Sequence, residues 1–384
     1  MNGDVDIAEV ASRGELRRFV RMPHLVYAGD RNWVPPLDFE VRKLLNRRRN
    51  PFFEHGEIAL FLARRGGKTV GRISAQINRR HLGLHDDATG HFGFLESVDD
   101  GAVFSRLLVA AADWLRARGM KRIVGPVSPS INDEIGVLID GFEHPHMIGM
   151  PYSPRYYGSR LEQQGFSKAR DLYAFKFDLH GTDNREPLQL QRLASRMRAA
   201  GRFEVKPIDL RDFREQMRRA ISVYNDAWHG NWGFIPVNER EVDFMSHALR
   251  PVMRPHFVLL GEVGKELVGI FVSLPNVYEA IADLDGRLFP LGWLKLLWRL
   301  KRGRFRSGRV ILAGVRKEYQ QSPLAAAMLS EMLSKIISFG RDNGYEWAEL
   351  SWVLEDNAQS MAFCQHSGGK VYKTYRLYQR GLSP

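Results

Sequence analysis

The chain has 384 residues, of which 44% are hydrophobic and 26% charged. That balance belongs to a folded globular protein long enough for two domains and excludes a disordered tract or a fibre. Its 56 Lys and Arg against 44 Asp and Glu leave a net charge of +12. Such a surface attracts an anionic partner without choosing among nucleic acid, a membrane face and a phosphate-bearing ligand. The single cysteine, Cys364, excludes an internal disulfide and any multi-cysteine metal site, and suits a reducing compartment. The opening residues are too acidic for an export signal, and no uncharged apolar run reaches the roughly 18 residues of a spanning helix, so a cytoplasmic location is expected.

In chain order, Pro35 and Pro36 force Asp30–Leu37 into an extended loop. Glu57–Ala63 and Thr69–Ile77 predict a hairpin around a Gly-Gly turn. Phe104, Leu107, Leu108, Ala111, Trp114 and Leu115 share one face of a helix that stops at Gly119, and Arg122–Val127 follows as a strand. A short helix ends at Gly165, and Leu172–Leu179 alternates as a closing strand. The polar, Arg-rich stretch 181–201 reads as a connection. The same order then recurs. His256–Val263 and Leu267–Leu274 form a second hairpin, with Gly269 in the place of Gly71. Leu324, Met328, Leu329, Met332, Leu333 and Ile336 form a second helix face ending at Gly344. Glu346–Leu354, a short helix to Gly368 and the strand Val371–Gln379 complete the copy. Hairpin, helix, strand, helix, strand, occurring twice, is an α+β repeat, with an N-terminal domain over 1–180, the connection over 181–201 and a C-terminal domain over 202–384.

This order in duplicate resembles the GCN5-related N-acetyltransferase (GNAT) superfamily in tandem. The resemblance implies two GNAT-like domains, each a mixed, mostly antiparallel sheet flanked by helices. In that superfamily the pyrophosphate of acyl-CoA lies on a loop of pattern Arg/Gln-x-x-Gly-x-Gly/Ala at a helix start. Gln320-Gln321-Ser322-Pro323-Leu324-Ala325 agrees at Gln320 and Ala325, while proline replaces the first glycine. The resemblance thus implies acyl-CoA as donor, held by the C-terminal domain through Val315, Arg316, Gln320, Gln321, Ser322, Leu324 and Ala325, with Asn357 at the pantetheine arm. It also implies a splayed strand, Val310–Val315, whose amides polarise the thioester. Cys364 stands where many members carry an acidic tyrosine. Independently of any family, helix N-terminal amides and the positive dipole end attract phosphate, with an ordinary helix start as the plain alternative. The first copy has Asp99-Asp100 before its helix, which repels phosphate and marks its loop as degenerate. Asn32–Leu37, Ser130–Phe142, Tyr224–Phe234 and Arg287–Trp298 look like one branch of the superfamily, the bacterial ceramide synthases. That branch implies transfer of a fatty acyl group from acyl-CoA to the amine of a sphingoid long-chain base, giving a (dihydro)ceramide.

Acylating an ammonium substrate needs a base, and a carboxylate in an apolar surrounding suits that task. Asn132-Asp133-Glu134 and Asp140 border the apolar stretch Ile135–Phe142. Glu134 is the candidate base and Asp133 the group holding the amine, with Asn132 and Asp140 as substrate contacts; a capping turn is the alternative for each. Tyr224, Trp228, Asn231 and Trp232 crowd aromatic and amide groups that would line a groove for a long apolar tail, or simply pack in the core. His229 beside them is a second candidate base. His144 with His146, and His81 with His85, lack the neighbours of a zinc site, so no metal is expected.

The segment 287–309 is an insertion in the second copy, where Leu, Phe and Trp interleave and then give way to Arg and Lys. Such a segment docks on an anionic membrane surface, which would make the chain peripheral to the inner membrane, or packs as an ordinary helix with a basic end. Aromatics set among leucines disfavour nucleic acid. Two other functions remain open on the sequence. One is a tandem GNAT acyltransferase for other amines, including a type taking aminoacyl groups from transfer RNA; the other is a non-catalytic acyl-CoA or lipid sensor.

Overall fold

Strand alternation and glycine placement set both sheets. The computed structural model describes residues 4–181 and 188–382. One compact unit comprises Met1–Leu172, Ile281–Trp293 and Lys373–Pro384, and a second Tyr173–Ala280 and Leu294–Tyr372. This differs from the sequential split expected at 180 and 202. The last strand, Lys370–Gly381, pairs through its second half with Arg122–Gly125 and Val137–Asp140, so its hydrogen bonds assign the chain end to the first unit. Of the expected connection, 182–187 lie outside the described residues and Leu188–Ala199 is helical.

The first unit contains, in order, β1 (Asp6–Glu9), α1 (Arg13–Arg21), α2 (Pro23–Val26), α3 (Asp38–Leu44), β2 (Gly56–Arg65), β3 (Lys68–Asn78), α4 (Arg79–His85), β4 (Thr89–Ser97), α5 (Gly101–Arg116), β5 (Arg122–Gly125), β6 (Val127–Ser128), β7 (Glu134–Ile135), β8 (Val137–Asp140) and α6 (Tyr156–Gln163). Its sheet runs β1-β2-β3-β4-β5 and then the chain's last strand. The pairings are antiparallel except between β4 and β5, which run parallel over Thr89–His91 and Arg122–Val124. Helix α5 buries Val103, Phe104, Leu107, Leu108, Ala111 and Leu115 against one face of the sheet. On the other face Phe19 of α1 meets Leu45 and Leu62. Asp30–Leu37 is the extended loop its paired prolines predict, and it joins α2 to α3. Ser12 and Glu15 form a capping box that starts α1, a local signal strong enough to nucleate so short an element.

In the second unit β9 (Ser167–Asp178, from Tyr173 onward) is followed by α7 (Leu188–Ala199), β10 (Glu204–Pro207), α8 (Phe213–Ala227), α9 (Glu239–Leu249), β11 (Val258–Val263), β12 (Glu266–Pro275), α10 (Tyr278–Ile281), α11 (Gly292–Arg302), β13 (Ser307–Val315), α12 (Pro323–Asp342), β14 (Trp347–Leu354), α13 (Ala358–His366) and β15, the last strand named above. The sheet order is β9-β14-β13-β12-β11-β10. Successive pairs from β10 to β13 are antiparallel, and β13 meets β14 in parallel. Alternation along β12 serves two cores, as period-two side-chain direction requires. Ile270, Val272 and Leu274 join Met217, Ala220 and Ile221 of α8, while Phe271 joins Met328 and Met332 of α12; Val268, at the register shift against β11, also joins the α12 side.

The glycines at equivalent places in the two copies have the same packing role. A β-carbon on Gly71 would lie 2.7 Å from Leu107 Cδ1 of α5, and one on Gly269 would lie 2.6 Å from Met328 Sδ of α12. Each glycine lets the long helix of its copy lie close on the sheet. Both units are therefore α+β, with a mostly antiparallel sheet, one parallel pair and helices on its faces.

Candidate active site

The parallel ladder between β13 and β14 covers only Ser307–Val310 against Trp347–Leu350. Beyond it the strands part. The edge of β13 that faces the gap keeps backbone N–H and C=O groups with no strand opposite, while its other edge stays paired to β12 as far as Val315. A cavity of about 60 Å³ opens in the gap, walled by Val310–Ala313 and Leu350–Leu354 and closed by Trp228, Asn231 and, from α13, Asn357, Ser360, Phe363 and Cys364. Gly314 belongs to this wall region because a β-carbon there would meet the Trp228 ring at 2.7 Å. Asn357 caps α13 by accepting the Ser360 N–H at 3.0 Å, which fixes its side chain at the rim.

At the open end of β13, the chain passes through Arg316–Ser322 into α12. Ser322 is the N-cap; its Oγ accepts the Ala325 N–H at 3.1 Å and donates to the Tyr319 carbonyl at 2.6 Å. Pro323 occupies the first helical position, and Gln321 lies in the left-handed region at φ +64°. Gln320 Nε2 donates to the carbonyls of Ala227 and Val315, at 3.2 and 3.3 Å. Arg316 is tied to the Leu267 carbonyl and to Ser222, and the Lys317 amide donates to Asp226 at 2.7 Å. The loop is thus pre-shaped at a 20-residue helix. Its cap already uses one amide and Pro323 has none to give; Lys317 supplies positive charge in the loop, and the Arg316 guanidinium also meets Glu266 at 3.5 Å. Walls of mixed polarity, strand amides with no strand opposite and a helix start beside Lys317 form a donor set that fits an acyl-CoA thioester.

The sequence candidates divide accordingly. Trp228, Asn231 and Asn357 meet at the cavity, and Val315, Arg316, Gln320, Gln321, Ser322, Leu324 and Ala325 form the loop and helix start beside it. Tyr224 lies behind Trp228, with ring centres 5.1 Å apart, and against Phe234 at 5.5 Å; burial raises its phenol well above the ordinary value. His229 is exposed, and neither it nor Trp232 is among the lining residues. Cys364 is fully buried, and burial pushes its thiol up to about 12. It is therefore a neutral thiol and no acyl-carrying nucleophile. His366 bonds the Ala362 carbonyl through Nδ1 at 2.7 Å.

Glu134, Asp133, Asn132 and Asp140 belong to the first unit. Asp133 accepts the Ser130 N–H at 3.2 Å and its own N–H donates to the Ser130 carbonyl, the local bonding of a turn. Glu134 is half-buried at the start of β7, opposite Ser128, and its charge acts on the buried Arg72 guanidinium. Asn132 and Asp140 are exposed.

The first unit also has a parting between β4 and β5, filled by its own chain. A β-carbon on Gly93 would stand 1.9 Å from the Val127 carbonyl oxygen, and Gln76 donates to the same carbonyl. The β6–β7 hairpin fills the β4–β5 parting, whose counterpart between β13 and β14 is open. At the start of α5, Asp100 accepts the amides of Ala102 and Val103 at 2.9 and 3.2 Å, so a carboxylate holds the place a phosphate would need. Nearby, Tyr27 and Tyr157 each donate to Glu96 at 2.8 Å, and Arg72 lies 3.6 Å from it; burial raises the Glu96 carboxyl. Sequence reading missed this network, whose members are separated by up to 130 residues, and it also missed Ser351, Ser360 and Phe363 of the cavity. Among the described residues no group of His, Cys, Asp and Glu could hold a metal ion, and no helix is long and apolar enough to cross a membrane.

No family model matches the sequence. A bacterial ceramide synthase of Caulobacter vibrioides is 41% identical over 382 residues, 99% of this chain and 98% of its own. Protein YghO of Escherichia coli is 37% identical over 374 residues, 97% of this chain and 94% of its own. Among solved structures, a tandem GNAT protein from the clavulanic acid biosynthesis pathway superposes with a TM-score of 0.60 over 99% of both chains at 11% identity, a likeness of fold.

Proposed function

This chain belongs to the bacterial ceramide synthase family of tandem GNAT-fold proteins, and from that membership we propose that it transfers a fatty acyl group from acyl-CoA to the amine of a sphingoid long-chain base. The observation that carries the reading is the parted β13–β14 pair, with a cavity of mixed polar and apolar lining between the strands and a serine-capped helix start at its open end. In this reading the pantetheine arm lies along β13 beside Asn357, and the pyrophosphate meets the start of α12 near Arg316 and Lys317. The N–H groups of β13 accept the developing oxyanion when the amine adds to the thioester carbonyl; the tetrahedral centre then collapses, and coenzyme A leaves as thiolate. Trp228 and Asn231 shape the wall nearest the acyl group. With Cys364 held as a neutral thiol, transfer is direct.

For the base, chemistry alone nominates Glu134, a half-buried carboxylate, with Asp133 as the partner for the ammonium group and His229 as the second choice. Retention of wild-type turnover by Glu134→Gln would remove it. A lipid acceptor places the reaction at the cytoplasmic face of a membrane. The testing experiment follows thiol release from palmitoyl-CoA by the purified chain, with and without sphinganine or its 3-keto precursor, and identifies the product by mass spectrometry. An amide that depends on the long-chain base is expected. Palmitoyl-CoA binding without thiol release would favour the sensor reading, and release with other amines only would move the acceptor class.

A further inference from the structure

Helix α11 is turned the wrong way for a protein surface in water. Leu296 and Leu300 face the core beneath α8 and α9. The helix is pinned there by Arg299, which donates to the Ala280 carbonyl at 2.7 Å, and by Arg254, which donates to the Leu300 carbonyl at 2.7 Å. A helix seated on two leucines should carry polar residues on the opposite arc. Instead Leu294 and Trp298 lie there with Leu297 at the edge, each between 45% and 54% exposed. Leu294, Leu297, Trp298 and Lys301 stand at i, i+3, i+4 and i+7, so they form one stripe. The run leading into the helix continues the pattern, with Phe289 82% exposed and Leu291 68%. Lys301, Arg302 and Arg304 are exposed at the far end, and the Arg302 guanidinium lies 4.0 Å from the centre of the Trp298 ring.

We propose that the outer face of α11 is a docking surface for an anionic lipid bilayer. Its depth and chemistry suit the interface between headgroups and acyl chains. Tryptophan rings and leucines enter the acyl boundary, while lysine and arginine reach phosphate with their charged ends and bury their stems. The basic end complements anionic headgroups, each such charge adding attraction near the surface. A nucleic acid would be met by basic and aromatic groups without a leucine stripe. The inference draws its sense from the lipid acceptor proposed above, but it is tested without turnover.

The full chain is mixed with phosphatidylcholine vesicles with and without phosphatidylglycerol, and bound protein is measured by flotation at rising salt. Binding to the anionic vesicles alone, weakening with salt, is expected. The triple variant K301Q/R302Q/R304Q should lower the partition coefficient by roughly 100-fold, and L294S/L297S/W298S should remove the binding that survives high salt, both with circular dichroism unchanged. Absence of wild-type binding, or equal partition of wild type and both variants, would overturn the proposal. It would equally be overturned by salt-dependent binding to an RNA in place of vesicles, or by a dimer in light scattering that L294S/L297S/W298S converts to monomer while vesicles stay unbound. Amide formation assayed separately with detergent-dispersed sphinganine keeps this result distinct from that of the acyltransferase reading.

Discussion

Two strand pairs in this chain part in the same way, and they differ in what fills the gap. Between β4 and β5 the β6–β7 hairpin enters until the Val127 carbonyl lies where a β-carbon of residue 93 would be, and Asp100 caps the following helix. Between β13 and β14 the gap holds a cavity, and the following helix begins beside Arg316 and Lys317. A duplicated fold has thus kept the scaffold in both copies, and under the proposed function only the second copy takes the ligand. Buried polar strand groups need partners. In the first copy the chain supplies one with its own hairpin; in the second the edge of β13 is left for a ligand.

The largest test of that contrast fills the open gap. Ala313→Trp puts an indole at the wall of the cavity between β13 and β14, and should weaken palmitoyl-CoA binding and thiol release of the folded fraction by roughly 100-fold or more. Gly93→Ala acts on the filled gap. A β-carbon 1.9 Å from a backbone oxygen forces the strand or the hairpin to move, and chemical denaturation should show a loss of about 3 kcal/mol or more. Palmitoyl-CoA affinity of the folded fraction should be unchanged.

His91, at the foot of β4, sharpens the same comparison through pH. It is buried beside His81, with His85, Asp87 and Arg122 close enough to act on it, and its pKa is pushed down to about 3, first by burial and then by the charge of His81. The unfolded chain therefore takes up the proton before the folded one does. Stability is complete above the ordinary histidine value near 6.5 and falls as pH drops towards 3, by about 3 kcal/mol at pH 4 from this residue. His91→Gln should flatten that slope in denaturation curves measured between pH 7 and 4. The smallest effect is expected at Cys364. Replacing it by Ala should change turnover by less than about 2-fold, since a thiol at about 12 carries no thiolate at neutral pH. Loss of activity on that change would restore a covalent acyl intermediate.

The sequence made the repeat legible where its physics is local. Gly66-Gly67, the amphipathic faces of α5 and α12, and the matched Gly71 and Gly269 could be read directly, because turn conformation, helical period and close helix packing each leave a short-range signature. Strand β4 could not, since Gly90, His91 and Gly93 break the apolar alternation that marks a strand, and their reason is contact with Leu115, His81 and Val127. The start of α12 after Gln320–Ser322 was readable as a helix start, and Trp228, Asn231 and Asn357, which meet at the cavity, were readable as candidates. Ser351, Ser360 and Phe363 were not, because their place at the cavity depends on where two strands stop pairing. Asp133 was readable both as a candidate for the ammonium group and as a carboxylate in a capping turn, and it accepts the Ser130 N–H of such a turn. The domain boundary also escaped the sequence, because it depends on β15 returning to pair with β5 and β8.

The most direct measurement is a calorimetric titration of palmitoyl-CoA into the intact chain and into Ala313→Trp. One open cleft and one filled cleft predict a stoichiometry of one per chain, abolished by the substitution. Two equivalents bound, or one that survives Ala313→Trp, would contradict the assignment of the donor site to the β13–β14 gap.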